Sequence, residues 1–148
     1  AAGFVHGEAS DVQKVIVKRA IANKQDVVID GTGDREIEAV QATANQARKA
    51  GMRVVANYVT VPLTLATSRE NDRARRTGRK VAPSYIRESH ANVSKVFPEA
   101  LRRGLFDEAN LWDTRGGTPM LVVSHLDGKT TVHDAALYRE FLAKGKAD

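Results

Sequence analysis

The chain of 148 residues is 42% hydrophobic and 28% charged, the balance of a globular protein with one core, and it holds no cysteine for a disulfide framework or a thiolate zinc site. No apolar run approaches the roughly 20 residues that cross a bilayer, and the opening AAGFVHGEAS lacks a basic leader, so no membrane span or signal peptide is expected and the chain reads as cytoplasmic. The formal charge of +5 points to an anionic partner, and six cations, Arg69, Arg73, Arg75, Arg76, Arg79 and Lys80, crowd one stretch against Glu70 and Asp72.

The first predicted element is a helix over Asp11 to Asn23, with Val12, Val15, Ile16 and Ala20 on one side. Val27-Val28-Ile29 follows as a short β-branched run that predicts a buried strand, leaving through Asp30-Gly31-Thr32-Gly33-Asp34. From Arg35 the helical period returns through Ile37, Val40, Ala44 and Ala47 and stops at Gly51. Arg53 to Val61 predicts a second strand, and Pro62 opens a helix broken at Thr77-Gly78. Pro83 starts a long helix to about Arg103 with His90, Val93, Phe97 and Leu101 in its inner stripe, which Pro98 is expected to kink or divide. NLWDT and TPMLVVSHL predict two strands joined by Arg115-Gly116-Gly117, Asp134 to Lys144 a closing helix, and KGKAD a frayed end. Helices alternating with strands are the pattern of an α/β fold, a parallel sheet flanked by helices, where ligands gather at strand carboxyl ends.

That rule singles out the acidic loop. A carboxylate directly after a buried strand points into the crevice, and the adjacent Gly31 lets a ligand approach the backbone, so Asp30 can accept a hydrogen bond from a substrate hydroxyl or hold magnesium through water. The bland alternative is a turn carboxylate satisfied by backbone amides. Thr32 offers a hydroxyl, and Asp34 either caps the helix that follows or faces the ligand. Arg69, Arg73 and Arg76 share one face of a helix, where like charges repel unless an anion relieves them, and Arg79 beyond the glycine break can swing in from the other side. Planar guanidinium forks suit a migrating phosphoryl group, so the helix, the glycine and the second basic segment predict a closing lid. The alternative is a solvated basic face, and a compact cluster fits a phosphate better than a nucleic-acid track. His90 is expected as a core histidine and Trp112 as a strand residue covering the core, while His125 and His133 are too isolated to argue for a metal.

VVIDGTGD together with RENDRARRTGRKVAPSYI resembles the zeta-toxin family of P-loop kinases, with Asp30-Gly31-Thr32 and Gly78-Arg79 followed by Pro83 in the family's places. The upstream VHGEASDV and the later FDEANLWDT extend the resemblance over nearly the whole chain. It implies a single kinase domain over 1–148 that transfers the ATP γ-phosphate, with Mg2+, to a hydroxyl of a small molecule such as UDP-N-acetylglucosamine. By position, Asp30, Thr32 and the glycine between them would hold the acceptor, Arg73 and Arg79 would steady the phosphate with Arg69 or Arg76 assisting, and His6 and Glu8 would lie near the substrate mouth. A capping role is the alternative for Glu8.

The departure from the family is the phosphate-gripping loop. No G-x-x-x-x-G-K-[ST] occurs, and Gly128-Lys129-Thr130 imitates only its last letters, since Val123 stands where the first glycine belongs. The family places that loop's strand between the one at Val27 and the one at Arg53, so a segment of roughly 40 to 60 residues is expected to be missing at the N-terminus, leaving the chain alone inactive and poor at binding ATP. Otherwise the two strands pair directly or a second chain, such as an antitoxin, fills the slot. A polynucleotide kinase and a non-catalytic kinase-fold module are the rival readings.

Overall fold

A computed structural model describes residues 2–146, with side chains from Gly7 onward. Helix α1 (Ala2–Ala22) leads into an unpaired stretch, followed by α2 (Ile37–Lys49), strand β1 (Val55–Thr60), α3 (Leu63–Thr77), α4 (Pro83–Arg102), β2 (Glu108–Asp113), β3 (Met120–Leu126), β4 (Lys129–Val132), α5 (Ala135–Ala143) and a 3-10 turn at Lys144–Lys146. The sheet runs β1-β2-β3-β4. β1 and β2 are parallel, joined by the long α3–α4 crossover, whereas β3 and β4 are antiparallel because short turns allow no other pairing. The expected α/β architecture therefore stands with a mixed sheet.

The core lies on one face of the sheet, where Ala44 of α2, Val93, Phe97 and Ala100 of α4 and Phe141 of α5 pack on Ala109, Leu111 and Val123. Phe97 is its hub, edge-on to Tyr58 at 5.1 Å and to Phe141 at 5.9 Å. Pro98 does not divide α4, since the core residues on both sides of it outweigh the roughly 3 kcal/mol that an internal proline costs. The parallel register starts at Val55 and Glu108, just after Asp107, whose carboxylate accepts the Val54 amide at 2.7 Å and meets Arg48 at 3.3 Å. The Val54 hydrogen bond, with Arg48 and Arg53 nearby, holds that carboxyl below its ordinary range.

Three expectations fail, and one strand was not expected. Val27–Asp30 forms no strand, because a strand is a pairing and no described strand pairs with it, and Val28 is 97% exposed. β4 is unanticipated, although Asp127-Gly128, both at positive φ, is a strong hairpin turn signal; the Gly128-Lys129-Thr130 imitation is the end of that turn and the start of β4. Trp112 does not cover the core: it alternates with the buried Ala109, Leu111 and Asp113, so it faces the other side of the sheet, where its Nε1 donates to Asn57 at 3.3 Å. The KGK segment is not frayed but folded into the 3-10 turn. Gly145 lies so close to α4 that a Cβ there would meet Ser94 Oγ at 2.9 Å, and the half-buried Lys144 ammonium donates to Thr60 Oγ1 at 2.7 Å and to the Val61 carbonyl.

Candidate functional site

The segment from Val27 to Gly33 runs along one side of a cleft of about 440 Å3, with β1 on the other side and Val40, Thr43 and Ala44 of α2 beneath. Asp30, Gly31 and Thr32 all line it, so the three acceptor-side residues come together. The Asp30 carboxylate is exposed, and no described residue donates to it, which removes the turn-carboxylate alternative. The loop is held three residues on: Gly33 adopts φ +74°, and a Cβ there would stand 2.9 Å from the Tyr58 ring. Asp34 is not the cap of α2. The helix begins at Ile37 behind Glu36, which makes no side-chain cap, and the Asp34 carboxylate accepts the Thr32 hydroxyl instead.

The cleft occupies the slot between the predicted first strand and β1. The two do not pair directly, and β1 has β2 as its one strand neighbour among the described residues. Val55 and Val59 stay exposed on β1, the latter by 60%, while Val12, Val15 and Ile16 of α1 are equally uncovered. Ile21, buried at the foot of α1, is that helix's contribution to the cleft. Glu8 is exposed and lies within α1 rather than ahead of it, so it is no cap. At 1.5 Å per residue it stands roughly 20 Å up the helix from Ile21 and does not reach the cleft. The His6 side chain lies outside the described residues.

The basic cluster takes the shape the sequence predicts. α3 carries Arg69, Arg73, Arg75 and Arg76 and ends at Gly78 in the left-handed conformation, φ 70°. Its charges are largely engaged: Arg69 donates to the Thr114 carbonyl at 2.8 Å, fastening α3 to the exit of β2, Arg73 pairs with Glu70, and Arg75 meets Asp72 at 3.6 Å. Arg76 reaches only the Asp72 carbonyl, at 3.5 Å. The Arg79 and Lys80 side chains have no partner among the described residues. None of the four lid arginines lines the cleft that holds Asp30, so the two halves of the predicted site stand apart in this conformation.

Sequence reasoning missed a second polar cluster, at the carboxyl ends of β1 and β2. Asp113 is 1% exposed and receives the Arg115 guanidinium through both oxygens, at 2.9 and 2.8 Å, while Arg115 also reaches Glu140 at 2.8 Å. Burial alone would raise the Asp113 carboxyl, but the hydrogen bonds from the Arg115 side chain and amide together keep it below its ordinary value. Lys144 closes the cluster from the C-terminal turn, with its pKa lowered by burial. A lysine in a charged terminal tripeptide carries no local signal for such a place.

The zeta toxin family matches the chain over residues 1–122. The chain belongs to the zeta toxin family. Solved structures agree on the fold: the chain covers 81% of its own length against a chain of the AvrRxo1-ORF1:AvrRxo1-ORF2 crystal structure with sulphate ions, at 18% identity and a TM-score of 0.67. Against the complex with ATP the identity is 20% and the TM-score 0.59. The chain spans 38% of the length of each of those chains. No curated protein matches it significantly in sequence. The zeta-toxin-like kinase fold thus continues from the first residues through β2 and into β3, and α5 with Lys144 lies beyond the family match. No helix among the described residues is long and apolar enough to cross a membrane.

Proposed function

We propose that this chain is the acceptor-holding and lid-bearing part of a kinase that moves the γ-phosphate of ATP to a hydroxyl of a small molecule. One observation carries the reading: the Asp30 carboxylate, on a glycine-flanked loop and without a partner among the described residues, lines an open cleft of a zeta-toxin-family domain. Asp30 accepts the acceptor hydroxyl, Thr32 and the Gly31 backbone orient it, and Arg79 and Arg73 bring positive charge to the transferring phosphate as the lid closes. Arg69 already anchors the lid to Thr114, and Arg76 is available to assist. A UDP-amino sugar such as UDP-N-acetylglucosamine is the acceptor we propose.

The grip on ATP lies outside residues 1–148. Gly128 sits in a hairpin turn and Lys129 and Thr130 open β4, so Gly128-Lys129-Thr130 forms no phosphate loop. The open edge of β1 and the exposed valines beside it fit an added strand carrying the phosphate loop, supplied by the rest of the protein or by a second chain. The presence of ATP and of a partner chain in the AvrRxo1 complexes supports the donor and leaves both sources of the strand open.

The test is phosphate transfer by the full-length protein from labelled ATP to UDP-N-acetylglucosamine. Asp30→Asn and Arg79→Ala should each lower turnover by about 100-fold or more while the circular dichroism spectrum stays unchanged. Undiminished turnover in both variants would overturn the assignment. Transfer to a 5′-hydroxyl oligonucleotide instead would move the acceptor to nucleic acid.

A further inference from the structure

We infer that Glu70 is the positioning residue of the lid, a single carboxylate that ties α3 to the segment returning after Gly78 and so fixes where Arg73 and Arg79 stand. Its consequence for turnover rests on the kinase reading; the tie itself rests on geometry. α3 buries no residue, yet the Glu70 side chain is only 10% exposed. One of its oxygens pairs with the Arg73 guanidinium and the other accepts the Val81 backbone amide at 2.8 Å.

The chain reaches that arrangement by doubling back. Gly78 turns in the left-handed region with its amide on the Ala74 carbonyl at 2.9 Å, and Thr77 Oγ1 braces the turn between the Arg73 carbonyl at 2.9 Å and the Arg79 amide at 3.3 Å. From Gly78 to Val81 an extended chain spans about 10 Å, and the seven residues from Thr77 back to Glu70 rise by about the same amount, so the returning segment lies alongside the last two turns of α3. Arg79 and Lys80 are therefore held beside Arg73 rather than beyond the helix end. Val81 precedes α4 and has no main-chain acceptor among the described residues, so its amide depends on Glu70. A carboxylate acceptor makes that bond stronger than a neutral one.

The division of labour has a chemical consequence. With Arg73 neutralised by Glu70, the lid is less repelled by its own charge before a phosphate arrives. An incoming phosphoryl group competes for the Arg73 fork while the Val81 bond keeps the second arm in place.

Hydrogen exchange by mass spectrometry on the full-length protein, read over residues 79–83, tests the tie, and steady-state kinetics tests the positioning. Glu70→Ala should raise exchange at Val81 by about tenfold or more. Glu70→Gln, whose side-chain oxygen still accepts, should keep most of the protection. In Glu70→Ala, kcat should fall by about 10- to 100-fold with KM for ATP unchanged. Val81→Pro, which deletes the donor and spares Glu70, should reproduce that split. Unaltered exchange in Glu70→Ala overturns the tie, and raised exchange with normal kcat overturns the positioning role. If the wild-type protein transfers no phosphate, the kinase reading fails, and exchange at Val81 decides the tie alone.

Discussion

Two halves of the molecule are finished to different degrees. Around β2, β3, α4 and α5 the core is closed: Phe97 and Ala100 are fully buried, Asp113 and Lys144 have their partners, and β2 and β3 are paired on both sides, although Met120 and Leu126 stay exposed. Around the 27–33 segment, β1 and α1, apolar side chains face outward and the acceptor-side loop runs unpaired. The residues assigned to holding the acceptor lie in the unfinished half, whereas the lid is rooted in the finished one, with Arg69 on Thr114 and the start of α3 just after the Val61 carbonyl that Lys144 holds. On the proposed function, the half left open is thus the half in which a nucleotide and an acceptor would meet.

The comparison is broken most sharply by truncating one apolar side chain in each half. Phe97→Ala should destabilise the chain by about 3–5 kcal/mol, because the cavity opens between Tyr58 and Phe141. Val28→Ala, at a site 97% exposed, should stay within about 0.5 kcal/mol in denaturant unfolding of the isolated chain. Adding the segment that completes the sheet should make the Val28 variant costly. A large effect of Val28→Ala in the isolated chain would mean that the open half closes on itself.

Next in size is the C-terminal turn. Lys144→Met keeps the apolar stem but leaves Thr60 and the Val61 carbonyl without their donor, a loss of about 1–3 kcal/mol by thermal unfolding. Lys146→Met, two residues away and exposed, should leave the midpoint in place. Gly33→Ala comes below it at about 1–2 kcal/mol, since the left-handed backbone disfavours a Cβ and the Tyr58 ring, wedged on Phe97, has little room to move. Its clearest readout is the release of the 30–34 loop, seen as faster exchange there.

What the sequence disclosed follows the range of the forces involved. α2, α3 and α4 were legible because the apolar period and the punctuation at Gly51, Gly78 and Pro83 act within a few residues. The grouping of Asp30, Gly31 and Thr32 was legible for the same reason, as neighbours on one short loop. Val27-Val28-Ile29 misled because β-branched content describes a strand's surroundings, and no described strand pairs with it. Glu70 was read only as a counter-charge, and Lys144 as part of a loose end, because their partners at Val81, Thr60 and Val61 come close only once the chain folds back on itself.

The smallest expected effect is a pH dependence confined to the finished half. His90 lies half-buried on α4, and burial first, then the Lys144 cation, push its pKa below the ordinary 6.5. As the medium is acidified, the unfolded chain takes up the proton near 6.5 while the folded chain still resists it. Across that window the unfolded state binds more protons, so stability falls as pH falls, and it levels off once the folded imidazole is protonated as well. Asp113, whose carboxyl is held below its ordinary 3.8 by Arg115, titrates at lower pH and does not overlap. His90→Gln should flatten unfolding midpoints measured between about pH 7 and 5, and Lys144→Met should narrow the window by removing the second cause. Because His90 contributes nothing to the cleft wall, acidification over this range should loosen α4 without altering exchange in the 27–33 segment. Parallel changes in both regions would show that the two halves unfold as one unit, and the contrast between them would then be one of exposure alone.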